Sequence, residues 1–250
     1  MGLHTERLRR TLKDAGLPPE EALIAHGLSQ LQPQQVTQLK GAIAEVETLP
    51  PSDSIWDLLA LGNAYYYAEQ YQDAKDTYDK ILNLNPDEPT TLTNRGVTYD
   101  ELGRYDEALA DYNRSLELRP DHPDTITNRG VTYNDMKRYD EALADFNHSL
   151  ELKPDNPATL NNRGITYRHL ERYDEALADF NHALELKPDD PSTLYNLACL
   201  FSLWGKTDDA LDNLEKAIDK DKKYKEKANK DEDFDNIRED PRFKKLIESD

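Results

Sequence analysis

The chain has 250 residues, with 31 Lys and Arg against 50 Asp and Glu, a formal net charge of −19 and a single cysteine, Cys199. An acid excess of this size opposes binding to a phosphate backbone or an anionic lipid surface, both of which need a basic stripe. One cysteine excludes an internal disulfide and a thiolate cluster for metal.

The first 53 residues differ in pattern from the rest. MGLHTERLRRTLKD meets charge before any apolar h-region, Glu6 stands where a myristoylation signal has Ser or Thr, and no later stretch is apolar for the ~18 residues of a membrane helix. A cytoplasmic setting, with no membrane and no nucleic acid as partner, is the expectation. Helices are predicted near 5–15, 18–31 and 33–49, the last with Val36, Leu39, Ile43 and Val46 at helical spacing and ended by Leu49-Pro50-Pro51. Residues 1–53 read as a helical cap over the open apolar edge of the next helices in the chain, or as a small docking region.

From residue 54 a 34-residue period takes over. Pro86, Pro120, Pro154 and Pro188 recur at that spacing, and with this proline as position 32 the units begin at Ile55, Pro89, Pro123, Pro157 and Pro191. Position 8 is Gly62, Gly96, Gly130, Gly164 and Ala198; position 11 is Tyr65, Tyr99, Tyr133, Tyr167 and Phe201. Position 20 is always alanine, and position 24 is Tyr78, Tyr112, Phe146, Phe180 and Leu214. Within a unit, Leu92, Gly96 and Tyr99 share one face of a first helix, while Ala108, Leu109, Tyr112 and Leu116 form the stripe of a second. Small residues at 8 and 20 let the two approach closely, and the proline ends the second helix. Self-similarity at this period is the mark of a stacked array, each hairpin being too small to bury its own apolar face.

Small at 8, aromatic at 11, alanine at 20, aromatic at 24 and proline at 32 closely resembles the tetratricopeptide repeat (TPR) family, over about residues 54 to 223. The resemblance implies an all-α, right-handed solenoid of stacked helix-turn-helix hairpins. The repeats would be 54–87, 88–121, 122–155, 156–189 and 190–223. Residues 224–250, whose DF-x-x-[IL]-R-x-DPRF-x-x-L ending looks like one found after bacterial repeats of this kind, would cap the last hairpin through Phe234, Ile237, Phe243, Leu246 and Ile247.

Position 6 is Asn94, Asn128, Asn162 and Asn196, with Asn63 one turn along in the first unit. An amide offers a donor and an acceptor together, the complement of a peptide group. Helices packed ~8–10 Å apart and a chain advancing ~3.3 Å per residue would give one rung about every third residue. This arrangement resembles the asparagine ladder with which some TPR superhelices grip extended peptides. Thr93, Thr127, Asn161 and Tyr195 at position 5, and Asp100, Asn134 and Arg168 at position 12, would flank it. Trp56, Tyr66 and Tyr67 would form an aromatic end, either anchoring a partner or packing on the N-terminal cap. The lysine and arginine clamp of chaperone-binding members is absent, since position 2 has Thr90, Asp124 and Ala158.

Arginine at position 7 and aspartate at position 23 occur and vanish together: Arg95 with Asp111, Arg129 with Asp145, Arg163 with Asp179, against Leu61 with Thr77 and Leu197 with Asn213. Structural ion pairs between helices are expected, because a half-buried guanidinium without a partner is costly. His148 and His182 occupy a basic slot rather than a metal site, and no nucleophile elbow, phosphate loop or HExxH string occurs. No catalytic residue, metal or cofactor is therefore assigned.

Residues 54–223 carry 19 Lys and Arg against 34 Asp and Glu, −15 of the chain's −19. The expected function is a non-catalytic protein-interaction module that takes an extended, neutral or basic segment of another protein into its concave groove. The alternative is an assembly scaffold that self-associates or organises a complex through its ends or convex face.

Overall fold

The computed structural model describes residues 3–17, 19, 23, 33–48 and 54–248. The chain divides into two compact units, Met1–Arg138 and Tyr139–Asp250. The first holds α1 (Leu3–Asp14), α2 (Pro33–Glu47), α3 (Ile55–Tyr67), α4 (Tyr71–Leu84), α5 (Pro89–Glu101), α6 (Tyr105–Leu118) and α7 (Pro123–Asp135). The second holds α8 (Tyr139–Leu152), α9 (Pro157–His169), α10 (Tyr173–Leu186), α11 (Pro191–Leu203), α12 (Thr207–Lys220), α13 (Lys223–Lys230), a 3₁₀ helix (Glu232–Ile237) and α14 (Pro241–Glu248). The fold is all-α, and the division falls within the third expected repeat, between α7 and α8. Of the helix expected over 18–31, only Pro19 and Leu23 lie among the described residues: Pro19 stands at a bend and Leu23 outside any helix.

Each first helix after α3 opens on a proline at N1, preceded by a cap: Glu88 accepts from the Thr91 amide, His122 Nδ1 from Thr125, Asn156 from Ala158 and Thr159, and Asp190 from Thr193 at 3.0 Å. Proline costs nothing here because its missing N–H would be unpaired anyway. His122 caps as a neutral ring, and burial pushes its pKa down. The second helices stop two residues before the position-32 prolines, with Asn85, Arg119 and Lys187 pushed out of helical geometry, as the residue before proline requires.

Position 15 carries the turn inside every hairpin. Glu69, Gly103, Lys137, Glu171 and Gly205 all have φ between 58° and 75°. Glycine takes this left-handed conformation freely, whereas Glu69, Lys137 and Glu171 do so at a cost of about 1 kcal/mol each. The next residue then folds back on position 11: the guanidiniums of Arg104, Arg138 and Arg172 lie 4.5–4.6 Å from the rings of Tyr99, Tyr133 and Tyr167.

Glycine at position 8 faces the ring at position 24 directly. A Cβ on Gly96 would lie 2.6 Å from Tyr112 Cε1, and one on Gly164 2.7 Å from Phe180 Cε1, with Gly62 against Tyr78 in the same relation. These rings are fully buried. The fifth unit has Ala198 and Leu214 at the two positions, both fully buried, so the added methyl is matched by a smaller partner.

The ion pairs lie along the same seam. Arg95 Nε and Nη2 donate to both oxygens of Asp111 at 2.7 and 2.8 Å, and Arg163 donates to both of Asp179 at 2.7 Å. The third nitrogen reaches back one repeat: Arg95 to Asp79 (2.6 Å), Arg129 to Asn113 (2.8 Å) and Arg163 to Asn147 (2.8 Å). Position 25 of the preceding repeat is therefore a partner that the sequence pairing did not include. Arg129 and Asp145 fall in different units.

In the first unit α1 packs on α2 and α3, Arg9 pairs with Asp57 at 3.0 Å, and the Tyr65 hydroxyl donates to Glu47 at 2.6 Å. In the second, Phe234, Ile237 and Phe243 join the core built by Tyr195, Phe201, Leu211 and Leu214, with Leu246 and Ile247 partly buried against it.

Three outcomes are expected in chemical denaturation. Gly164→Ala should cost about 1–3 kcal/mol from overpacking, and much of that loss should disappear in the background of Phe180→Leu, where the ring is gone; strict additivity would contradict the contact. Asp111→Ala should cost about 2 kcal/mol, below the ~3–5 of a fully broken buried pair because Asp79 still holds Arg95, while Arg95→Met with Asp111→Leu should lie nearer the wild type. The third concerns Asp190, whose carboxyl burial would raise but which Lys187 and Thr193 together hold below its usual value. A depressed carboxyl stabilises above its unfolded pKa of ~3.9 and loses this as pH falls through the folded value. Asp190→Ala should thus cost about 1 kcal/mol at pH 7, and the deficit should shrink below pH ~4.

Candidate functional site

The position-6 asparagines of the first unit sit on first helices, whose N1 prolines and caps fix where each helix begins. Asn94 in α5 and Asn128 in α7 are fully buried, as is Asn63 in α3. Asn94 Nδ2 donates to Asn63 Oδ1 at 2.8 Å, and the Tyr78 hydroxyl donates to the same oxygen at 2.7 Å. Three further bonds run to main chain of the N-terminal region. Asn63 Nδ2 donates to Pro19 O at 3.1 Å, Asn94 Oδ1 accepts from the Leu23 amide at 2.8 Å, and Asn128 Nδ2 donates to Leu23 O at 2.8 Å.

Leu23 is thus held at both ends of its own residue by amides of adjacent repeats. This register departs from one rung per third residue, since two rungs meet on Leu23 and the third is on Pro19, four residues earlier. The Leu23 side chain is 1% exposed, and Leu17 and Pro19 are buried too. Nothing in the local sequence of residues 17–23 signals this hold, which joins positions 71 and 105 residues apart.

Two of the flanking position-5 residues, Thr93 and Thr127, lie in the packed interior. Thr93 is buried and bonded to Ser115 (2.9 Å) on α6 and to Thr125 (2.8 Å) on α7, which puts it in the seam between helices. Thr127 is buried as well. Asp100 accepts from the Tyr112 hydroxyl at 2.6 Å and from Thr132 at 2.9 Å. Of the aromatic end, Tyr66 and Tyr67 are buried, with the Tyr66 hydroxyl donating to Glu101 at 3.2 Å, while Trp56 is 61% exposed.

In the second unit the corresponding face is met by the C-terminal segment. Asn196 donates to Asn161 Oδ1 at 3.0 Å, and Asn161 and Asn162 are half-buried. The Tyr195 hydroxyl donates to Asp231 at 2.6 Å, its ring packing on Tyr224 and Phe234, and Arg168 pairs with Asp233. Cys199, Asp231 and Asp233 come close enough together to hold an ion. Their chemistry points elsewhere: Arg168 neutralises Asp233, Tyr195 caps Asp231, and burial pushes the Cys199 thiol up to about 12, against the pull of Arg168. A thiol so poor at ionising is a weak ligand. His182 lies 3.4 Å from Asp155, and His169 stacks on Tyr139. Among the described residues no helix is long and apolar enough to cross a membrane.

Comparisons with known proteins agree with this architecture. No curated protein is similar enough to the chain to count as a match. Among solved structures, TTC0263 of Thermus thermophilus, a thermophilic TPR protein, is 24% identical with a TM-score of 0.63, covering 68% of this chain and 93% of that one. PilW, a type IV pilus biogenesis factor, gives 18% and 0.64 over 74% and 98%; YrrB, a TPR protein with an unusual peptide-binding site, gives 22% and 0.51 over 74% and 92%. The tetratricopeptide repeat family matches residues 53–121, 87–155, 121–189 and 155–223, in overlapping windows that advance by one repeat. On that match, which spans well over half of its length, the chain belongs to the tetratricopeptide repeat family.

Proposed function

We propose that the protein is a non-catalytic interaction module that binds an extended segment of a partner protein through the asparagines of its first helices. The observation that carries this reading is the treatment of Leu23: one asparagine takes its N–H and the next takes its C=O. Such a pair recognises main chain whatever side chain it bears, which is the chemistry needed to hold a peptide. That YrrB, of the same fold, has a peptide-binding site adds support. The acidity of residues 54–223 favours neutral or basic segments through long-range steering, and a cytoplasmic setting fits a chain with this charge and one buried thiol.

The test is selection of random twelve-residue peptides displayed on phage against the full chain. Enriched peptides should bind the wild type and lose about thirtyfold in affinity in the variant Asn94→Ala with Asn128→Ala, the equivalent of two hydrogen bonds at ~1 kcal/mol each, with the helical circular dichroism spectrum kept. Peptides that bind this variant equally well would overturn the reading. A mass that grows with concentration in light scattering, indifferent to the two asparagines, would favour the assembly scaffold instead.

A further inference from the structure

Four bonds in series join the cap of α7 to α5 and α6. His122 Nδ1 lies 2.9 Å from Thr125 Oγ1, which lies 2.8 Å from Thr93 Oγ1 on α5. Thr93 Oγ1 lies 2.9 Å from Ser115 Oγ on α6, and Ser115 Oγ donates to Pro89 O at 2.9 Å. Thr93, Ser115 and Thr125 are buried, whereas the ring at the head of the relay is only half-buried.

The relay has four links and three hydroxyl protons. While Nδ1 accepts from the Thr125 amide at 3.3 Å, it brings no proton of its own, and one link stays unfilled. A proton on Nδ1 fills it: the ring donates to Thr125, Thr125 to Thr93, Thr93 to Ser115 and Ser115 to Pro89 O. The same proton deprives the Thr125 amide of its acceptor. We infer that His122 is an acid-responsive cap: one proton taken up at Nδ1 releases the first turn of α7 and sets the direction of the buried hydroxyls that tie α7 to α5 and α6.

The other caps keep a single role. Asp190 accepts from both the amide and the hydroxyl of Thr193, at 3.0 and 2.9 Å, Glu88 is a carboxylate as well, and Asn156 does not titrate. Histidine is the side chain whose charge ordinarily changes between about pH 5 and 8. Burial opposes a charge on the His122 ring, Asp124 on α7 favours it and Arg119 at the end of α6 opposes it, so that the pKa falls below the usual 6.5. What α5 and α6 bring to the relay, Thr93, Pro89 O and Ser115, is neutral. The folded state therefore takes the proton less readily than the unfolded one. The stability that the cap supplies is complete above pH ~6.5 and is lost as pH falls from there through the folded value. The helix that acid loosens is α7, the last of the first unit.

The experiment is NMR of the full chain between about pH 5.5 and 8. It follows the His122 ring nitrogens and the protection of the Thr125 amide, with the Thr159 amide, capped by Asn156, as reference. In the wild type Nδ1 should be the bare nitrogen at high pH. The protection of Thr125 relative to Thr159 should fall about fivefold as the ring takes up its proton, the equivalent of one hydrogen bond. His122→Asn, which caps without titrating, should hold that ratio constant. Thr125→Val keeps the capped amide but removes the acceptor of the ring proton, and should weaken proton binding at His122 about threefold or more. Ser115→Ala, which cuts the relay two links further on, should weaken it in the same direction by less.

A ring that titrates at or above pH ~6.5, or a Thr125 amide whose protection does not follow the ring, would overturn the acid-responsive cap. Equal proton affinity in the wild type, Thr125→Val and Ser115→Ala would overturn the relay while leaving the cap. Should Thr125→Val fail to fold, Ser115→Ala alone decides, and an unchanged affinity there counts against the relay.

Discussion

The closeness of paired helices depends on one contact, a ring of the second helix laid on a glycine of the first. Gly96 against Tyr112 and Gly164 against Phe180 leave no room for even a methyl group. Everything else along the seam takes its spacing from this. The arginine at position 7 sits beside that glycine, which is why its fork reaches the aspartate at position 23 and its third nitrogen reaches back to position 25 of the preceding repeat. The fifth unit keeps the total volume while redistributing it between Ala198 and Leu214, as a close-packed interior permits.

Polar satisfaction then shapes the face that carries the asparagines. A buried amide must find partners for its donor and its acceptor. Asn63 and Asn94 share one bond, Tyr78 adds a second, and Pro19 and Leu23 supply one more to each amide. The same logic closes the second unit, where Tyr195 and Arg168 are met by Asp231 and Asp233 of the C-terminal segment. The two faces differ in kind: neutral amides bonded to main chain in the first unit, and a hydroxyl and a guanidinium meeting carboxylates in the second.

The repeat architecture was legible because every repeat restates the same local rules. Period, small and aromatic positions, and the covarying arginine and aspartate all lie within a single 34-residue window. The caps Glu88, His122, Asn156 and Asp190 also carried a readable signal, a residue before proline with a good helix opener after it, although the stronger mark of proline as a terminator masks it. Left-handed geometry at position 15 was hidden because only Gly103 and Gly205 advertise it. Thr93 shows a different limit: helical spacing establishes which residues share a face, but the neighbour that a face meets is a property of packing. The hold on Leu23 was out of reach altogether, since it joins distant parts of the chain through main-chain atoms, and those leave no trace in residue type.

That hold also acts as a filter of unusual simplicity. The rung at Leu23 takes an N–H as well as a carbonyl, so a proline at that position would forfeit one of the two bonds. The rung at Asn63 asks only for a carbonyl, and there the chain itself presents Pro19. Contacts made to backbone alone thus still dictate, residue by residue, where the N-terminal segment can carry a proline.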